Sequence, residues 1–298
     1  MNPVDYIEKH PERTKRILGI NYQQWKNLVS KAIAIYKQQQ QKLESRKIRI
    51  NAKGGGRKPI LTQKEEIGLC LFYLRQMPTF EILGIQFKIS KTEANDTFHK
   101  WLQIFRKVLP ASLLEQLENQ PQNRDMLYEL LGEIELLVDS TEQVRQRPKN
   151  YQDQKKHFSG KQQSHTFKNS VISCSKGEDI IDIAVGARGP EADINLFRQQ
   201  QAKFTQAQQF VGDKAYVGAA RTTTPSKKPR GRELTPEQKE ENKQISHQRI
   251  FIEHLIRCLK IFRIAADKFR LNPEKYRVVI LTICGLVRLR LGTFSFSP

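Results

Sequence analysis

The sequence predicts an α/β protein: an all-helical N-terminal region followed by a mixed sheet. Three observations carry the prediction. Apolar residues recur at helical spacing through the first third of the chain, then give way to short apolar runs bounded by turn residues between positions 134 and 211. Those runs come as three strands, a helix and a further strand, an antiparallel start followed by a crossover. Finally, 51 Lys and Arg stand against 31 Asp and Glu in 298 residues, a net charge of +20 that favours a polyanionic partner.

Residues 1–50 read as helical. Asn21 is placed to cap a helix carrying Trp25, Leu28, Val29, Ala32 and Tyr36, which runs out into the polar tract Gln38–Gln41. The run from Lys53 through Gly54, Gly55, Gly56, Arg57 and Lys58 to Pro59 is a flexible basic joint, either a linker or an arm lying along a DNA groove. Next, Ile67, Leu71 and Leu74 share one helix face and Pro78 breaks the chain. Thr79 caps a short helix with Phe80, Leu83 and Phe87. Ser90 and Glu93 have capping-box spacing and start a third helix with Phe98, Trp101, Leu102 and Phe105 inward. This pattern fits a helix-turn-helix whose leading end presents Lys91, Thr92 and Asn95 to base edges. A small helical bundle without that role has the same periodicity.

A Leu- and Glu-rich helix over Ser112–Asn119 leads to the first strand, Ile134–Val138 with a polar continuation. Strands over Thr166–Cys174 and Asp179–Val185 flank a turn at Ser175–Gly177. A helix over Glu191–Gln201 and a strand over Gln209–Val211 follow, then long helices. Val278–Leu291 is the longest apolar stretch, but it is short and contains Arg288 and Arg290, so it reads as a buried helix and no membrane is implied. The four cysteines show no CxxC spacing, and the N-terminus MNPVDYIEKH lacks an apolar signal core. Reduced thiols in a cytoplasmic compartment are expected. The expected division is 1–60, a helical segment and linker; 61–125, a helix-turn-helix domain; and 126–298, the α/β domain.

Charge is unevenly spread. From Arg221 onward there are 17 Lys and Arg against 7 Asp and Glu, and between Arg145 and Lys176 eight basic residues face the single acid Asp153. Separated basic stretches follow a long backbone better than one small anion. Three acids stand out against this background. Asp139 closes the first strand, Asp213 follows Phe210-Val211-Gly212, and Glu253 is embedded in an apolar helix. Such acids need a partner cation or a metal. Converging from separate elements, they would hold two divalent cations, and hard oxygen ligands suit Mg²⁺ or Mn²⁺. Each acid has a second reading from local chemistry. Asp139 is a turn cap with Ser140 and Thr141, Asp213 an ordinary Gly-Asp turn, and Glu253 a helix ion pair with Arg249 or Arg257.

From about Leu61 to Leu291 the chain resembles the insertion-sequence DDE transposases, DDE superfamily endonucleases with an N-terminal helix-turn-helix. The matching pieces are LTQKEEIGLCLFYLRQMPTFEILGIQFKISKTEAN, ELLVDSTE with Asp139, VGDKAYVG with Asp213, TTTPSKKPRG, and HQRIFIEHLIRCLKIFRI with Arg249, Glu253 and Lys260. Order and spacing agree together: 74 positions separate Asp139 from Asp213, and 40 separate Asp213 from Glu253. The departure is Ser246, where the signature often has tyrosine. The resemblance implies a ribonuclease-H-like catalytic domain, a metal-binding triad of Asp139, Asp213 and Glu253, and Arg249 and Lys260 near the DNA backbone. Asp193, after a Gly-Pro turn, is a positioning or outer-sphere residue in this frame; Tyr216 and Lys214 either orient DNA or pack. Lys227, Lys228 and Arg230 would grip phosphates beside the site, and Arg145, Arg147, Lys149, Lys155 and Lys156 would line the same cleft.

The implied function is binding of terminal inverted repeats, metal-dependent strand cleavage and strand transfer. The partners are double-stranded DNA, as element ends and target, and a second copy of the chain, in the nucleoid of a prokaryotic cytoplasm. The alternatives are a transposase-derived binding protein that has lost cleavage and, more remotely, a ribonuclease-H-like nuclease without strand transfer.

Overall fold

Capping chemistry sets the helices of the N-terminal unit in the computed structural model, which describes residues 2–46, 58–118, 124–294 and 296. The Gly-rich basic joint expected at 53–59 lies, through Arg57, outside the described residues. Asn2 caps α1 (Pro3–Lys9), α2 spans Thr14–Leu18, and Asn21 caps α3 (Tyr22–Glu44) in a full capping box with Gln24. Thr62 caps α4 (Gln63–Gln76), Thr79 caps α5 (Phe80–Phe87), and Ser90 caps α6 (Lys91–Val108) by accepting the Glu93 N–H. Gly84 lets the α5–α6 turn close, since a Cβ there would lie 2.7 Å from the Ile89 carbonyl oxygen. The α5–turn–α6 pair is a helix-turn-helix, with Phe98, Trp101, Leu102 and Phe105 buried on α6 as expected.

The helices before the joint are not an appendage. Residues 1–109 form one compact unit, which also takes in 262–264 and 294–298. Trp25, Leu28 and Ala32 of α3 are buried, Tyr36 packs on Trp101 with centroids 5.2 Å apart, and Glu66 accepts the Trp101 indole N–H at 2.8 Å. Aromatic burial of this kind dominates small cores.

The second unit, residues 110–261 and 265–293, opens with α7 (Leu113–Glu118) and α8 (Arg124–Gly132). Its sheet contains β1 (Leu136–Val144), β2 (Phe158–Ser159), β3 (Ser164–Ser173), β4 (Ile180–Arg188), β5 (Phe210–Val211) and β6 (Thr222–Thr223). Interleaved are α9 (Tyr151–His157) and α10 (Asp193–Gln201), followed by α11 (Pro236–Lys260) and α13 (Tyr276–Leu291); α12 (Arg263–Ala266) begins within the 262–264 segment of the first unit. β1, β3 and β4 pair antiparallel in sequence, while β5 joins the other edge of β1 in parallel and β6 extends it. This order, β4-β3-β1-β5-β6, is the ribonuclease-H-like mixed sheet that the family resemblance implied.

One expectation changes here. Asp139 does not close its strand: β1 continues through Ser140, Thr141 and Glu142 to Val144, paired with β3 throughout. The polar continuation remains strand because β3 pairs with it along its length and its side chains find polar partners in Asp193, Thr166, Lys168 and the Asp267 carbonyl. Alternation sends Leu136, Val138 and Ser140 to the face covered by α10, while Asp139 and Gln143 face α11 and the segment after it. α13 is a largely buried helix, and no helix among the described residues is long and apolar enough to cross a membrane.

Candidate active site

Register brings the first two acids to one level. Leu137 of β1 lies opposite Val211 of β5 in the parallel pair, and Asp139 and Asp213 each follow two residues later. Both acids therefore stand at one level of the sheet, Asp139 within β1 and Asp213 just past the end of β5. Beyond β5 the chain turns, and the Asp213 carboxylate accepts the Ala215 N–H at 2.8 Å to cap a 3₁₀ turn over Lys214–Tyr216. The local turn chemistry foreseen for Asp213 is thus present, but at the level of Asp139.

The third acid arrives on α11, which packs across β1. Arg249 reaches from this helix to Asp139, 3.4 Å from Oδ2, and to Glu253 one helical turn on, 3.7 Å from Oε1. The side chains of Arg249 and Asp139 are 17% and 18% exposed, against 44% for Glu253, so the first contact is the better shielded. Among the described residues Glu253 pairs with Arg249 and not with Arg257. Burial pushes the Asp139 carboxyl above its usual range. The Ser140 N–H, donated at 2.7 Å, and the Arg249 charge draw it down, whereas the charges of Asp213 and Glu253 raise it further. The charges of Asp213 and Glu253 thus both reach Asp139, with one guanidinium between Asp139 and Glu253.

Among the described residues no group of three or more His, Cys, Asp or Glu side chains is arranged to hold a metal ion as it stands. The donor chemistry nevertheless fits a hard divalent cation. All the donors are carboxylate oxygens, and their negative charge exceeds the single counter-charge that faces them.

Behind Asp139, on the α10 face, lies a network of which the sequence had indicated Asp193 but not Lys168 or Glu142. The Ser140 hydroxyl donates to Asp193 at 2.6 Å. Lys168, whose side chain is only 8% exposed, stands 3.0 Å from Asp193 and 3.8 Å from Glu142, and donates to the Glu191 carbonyl. Thr166 donates to Glu142 at 2.7 Å. A buried lysine facing two carboxylates offsets its own desolvation. The available signal was a Lys within a strand candidate, at the same alternation as Thr166 and Ser170, which the charge count had merged into a basic run. Asp193 therefore contacts Ser140, whose backbone in turn holds Asp139.

Tyr216 packs its ring on Phe197 at 5.4 Å, with its hydroxyl buried. Burial, together with the charges of Asp139, Asp193 and Asp213, pushes its phenol up and keeps it protonated. Gly212 makes room for that ring, since a Cβ there would come 2.8 Å from it and 3.1 Å from Val138.

The remaining expected contacts are spread out. Lys260 is exposed and lines a cavity of about 500 Å³ with Lys161, Lys168, Ser140 and Asp193. Lys227, Lys228 and Arg230 are exposed in the irregular segment after β6, and Lys228 pairs with Glu233. Lys91 and Thr92 are exposed and Asn95 half-buried on the first turns of α6, in the N-terminal unit. Arg145 is not a cleft residue: it is buried with its guanidinium 4.3 Å from the Phe167 ring centre.

Residues 138–288 match the family described as DDE superfamily endonuclease, and residues 60–111 match the helix-turn-helix of DDE superfamily endonuclease. The chain is 30% identical over 241 residues to a probable transposase for insertion sequence element IS702 from Microchaete diplosiphon, covering 80% of this chain and 84% of the relative. Among solved structures, a Mos1 transposase paired-end complex with left transposon end aligns at 12% identity and TM-score 0.21, over 78% of this chain and 88% of that one. A pre-cleavage Mos1 transpososome aligns at 14% and 0.19, over 77% and 86%. Likenesses that loose carry no argument.

Proposed function

Because the chain belongs to the DDE superfamily endonucleases and is of the transposase kind, we propose that it binds the terminal inverted repeats of a mobile element, cuts DNA strands there and joins them to target DNA. What supports this most is the shared level of Asp139 and Asp213 on parallel neighbours, with Arg249 linking Asp139 to Glu253.

Asp139, Asp213 and Glu253 would hold two Mg²⁺ or Mn²⁺ ions. Held there, such ions would supply Lewis-acid chemistry to a phosphodiester, activating a water or a 3′-hydroxyl and stabilising the leaving oxygen. The chain's own residues do the rest. Ser140 and Asp193 fix the orientation of Asp139, with Lys168 compensating the charges of Asp193 and Glu142. The protonated Tyr216 is a donor that takes no counter-ion. Arg249 and Lys260 hold the backbone of the reacting strand, and Lys227, Lys228 and Arg230 hold flanking phosphates. Lys91, Thr92 and Asn95 read the repeat. Two ends must be held together for joining, which calls for a homodimer on DNA, in the nucleoid of a prokaryotic cytoplasm.

The test is strand cleavage and transfer on terminal-repeat DNA with Mg²⁺ or Mn²⁺. Asp139→Asn should lower both by about 10²-fold or more, the scale of several kcal/mol of charge stabilisation, while DNA affinity stays within a few-fold. Equal activity of variant and wild type would remove Asp139 from the site. Tight binding without cleavage by the wild type would favour the binding-only alternative.

A further inference from the structure

Helices α1 and α2 lie outside both matched segments, yet they pack on α4 within one compact unit. Where they meet the turn from α4 into α5, a cavity of about 670 Å³ opens. Its lining carries four guanidinium groups, Arg13, Arg16, Arg75 and Arg263, and the rings of Tyr6 and Phe72, but no carboxylate. Arg16 is exposed and makes no ion pair among the described residues. Arg13 meets Glu12 at 3.6 Å, but both side chains are more than half exposed, so that pair contributes little.

The arginines are held on a stiff frame. Gln76, at the end of α4, donates to the carbonyls of Arg16 at 3.2 Å and Ile17 at 3.0 Å. Gly19 ends α2 in the left-handed region at φ 90°, with the Phe262 ring so close that a Cβ would lie 2.5 Å from it, and Arg263 follows Phe262. The cavity also borders Pro78 and Gln86, at the two ends of α5. That helix is the first of the helix-turn-helix, the one that crosses the DNA backbone in such motifs.

We propose that this cavity grips backbone phosphates of duplex DNA, so that the N-terminal helices extend the footprint of the helix-turn-helix. Guanidinium forks match phosphate oxygens two at a time, and a rigid frame reduces the ordering they need. The inference rests on α5 and α6 binding DNA, and the test separates the two.

Full-length wild type, Arg13→Ala/Arg16→Ala, Arg13→Lys/Arg16→Lys and Asn95→Ala are titrated with two duplexes of about 30 base pairs, one of mixed sequence and one carrying the terminal repeat from the DNA flanking the gene. Salt is varied from about 50 to 200 mM. The double alanine variant should bind both duplexes about ten-fold more weakly, with a log–log salt slope shallower by about two. The lysine pair should restore most of the slope, and Asn95→Ala should change only the preference between duplexes. An unchanged slope in the double alanine variant, with Asn95→Ala still losing preference, overturns the phosphate site and leaves the helix-turn-helix standing. Wild type that binds neither duplex overturns both.

Discussion

Asp139 shows how much a single residue can be asked to do. Its folded-state pKa is raised, so the folded chain holds that proton more tightly than the unfolded one. Its contribution to stability is therefore fully present below the ordinary carboxylate value and is lost as pH rises through the raised one. At neutral pH the ionised group weakens the fold. Asp139→Asn should accordingly melt higher than wild type at pH 7, with the gap closing as pH falls below about 4, while it loses cleavage. A variant that melts lower at every pH would show that the Arg249 contact outweighs burial. Lys168 acts on the fold through its charge. Lys168→Met would leave Glu142 and Asp193 facing each other without their shared cation. Removing one partner of a buried ion pair costs about 3–5 kcal/mol, which urea unfolding would read directly; a change under about 1 kcal/mol would mean that Lys168 is not the charge that holds Asp193.

At the scale of elements, Arg288 joins three parts of the second unit. Its side chain is fully buried on α13, forms a two-point contact with Asp179 just before β4 (2.6 and 2.9 Å), and donates to the Ser112 carbonyl and the Gln116 side chain at α7. Arg288→Ala should destabilise this unit by about 3–5 kcal/mol, and a denaturation midpoint equal to wild type would refute that role. This arginine stood in the sequence as an interruption in an apolar stretch. It could be read as an argument against a membrane span but not as a clasp, because its partners lie more than 100 positions away. The same divide runs through the other elements. Caps at Asn21, Thr79 and Ser90 were legible because they act within three residues. The extension of β1 through Ser140–Val144 was not, since its polar residues are strand-forming only with β3 opposite and with Asp193 and Lys168 above them. Helix α9 buries none of its residues and so had no apolar period to show. The three acids could be read from order and spacing, but Lys168 and Ser140 act through contacts that spacing does not encode.

For the whole molecule, a net charge of +20 sets the terms of encounter. DNA affinity should fall linearly on a log–log plot against salt, and a slope shallower than about −3 would mean that most of the surplus lysines and arginines never meet phosphate. The charge is carried in both compact units, by Arg13 and Arg16 in the first and by Lys227, Lys228, Arg230 and Lys260 in the second. Neutralising either set should therefore reduce the slope without abolishing it.

β5 and β6 are only two residues long, whereas β1 is held by eight successive pairings with β3. One jaw of the carboxylate site is thus anchored in the centre of the sheet, and the other hangs from a ladder that a brief fluctuation can open. In hydrogen-exchange terms, the amides around Val138 should be among the slowest in the chain, and those from Gly212 to Tyr216 should exchange through local opening long before global unfolding. An occupant that bound both jaws would slow the second set selectively, so the protection of this short stretch would report occupancy even in a variant unable to cut.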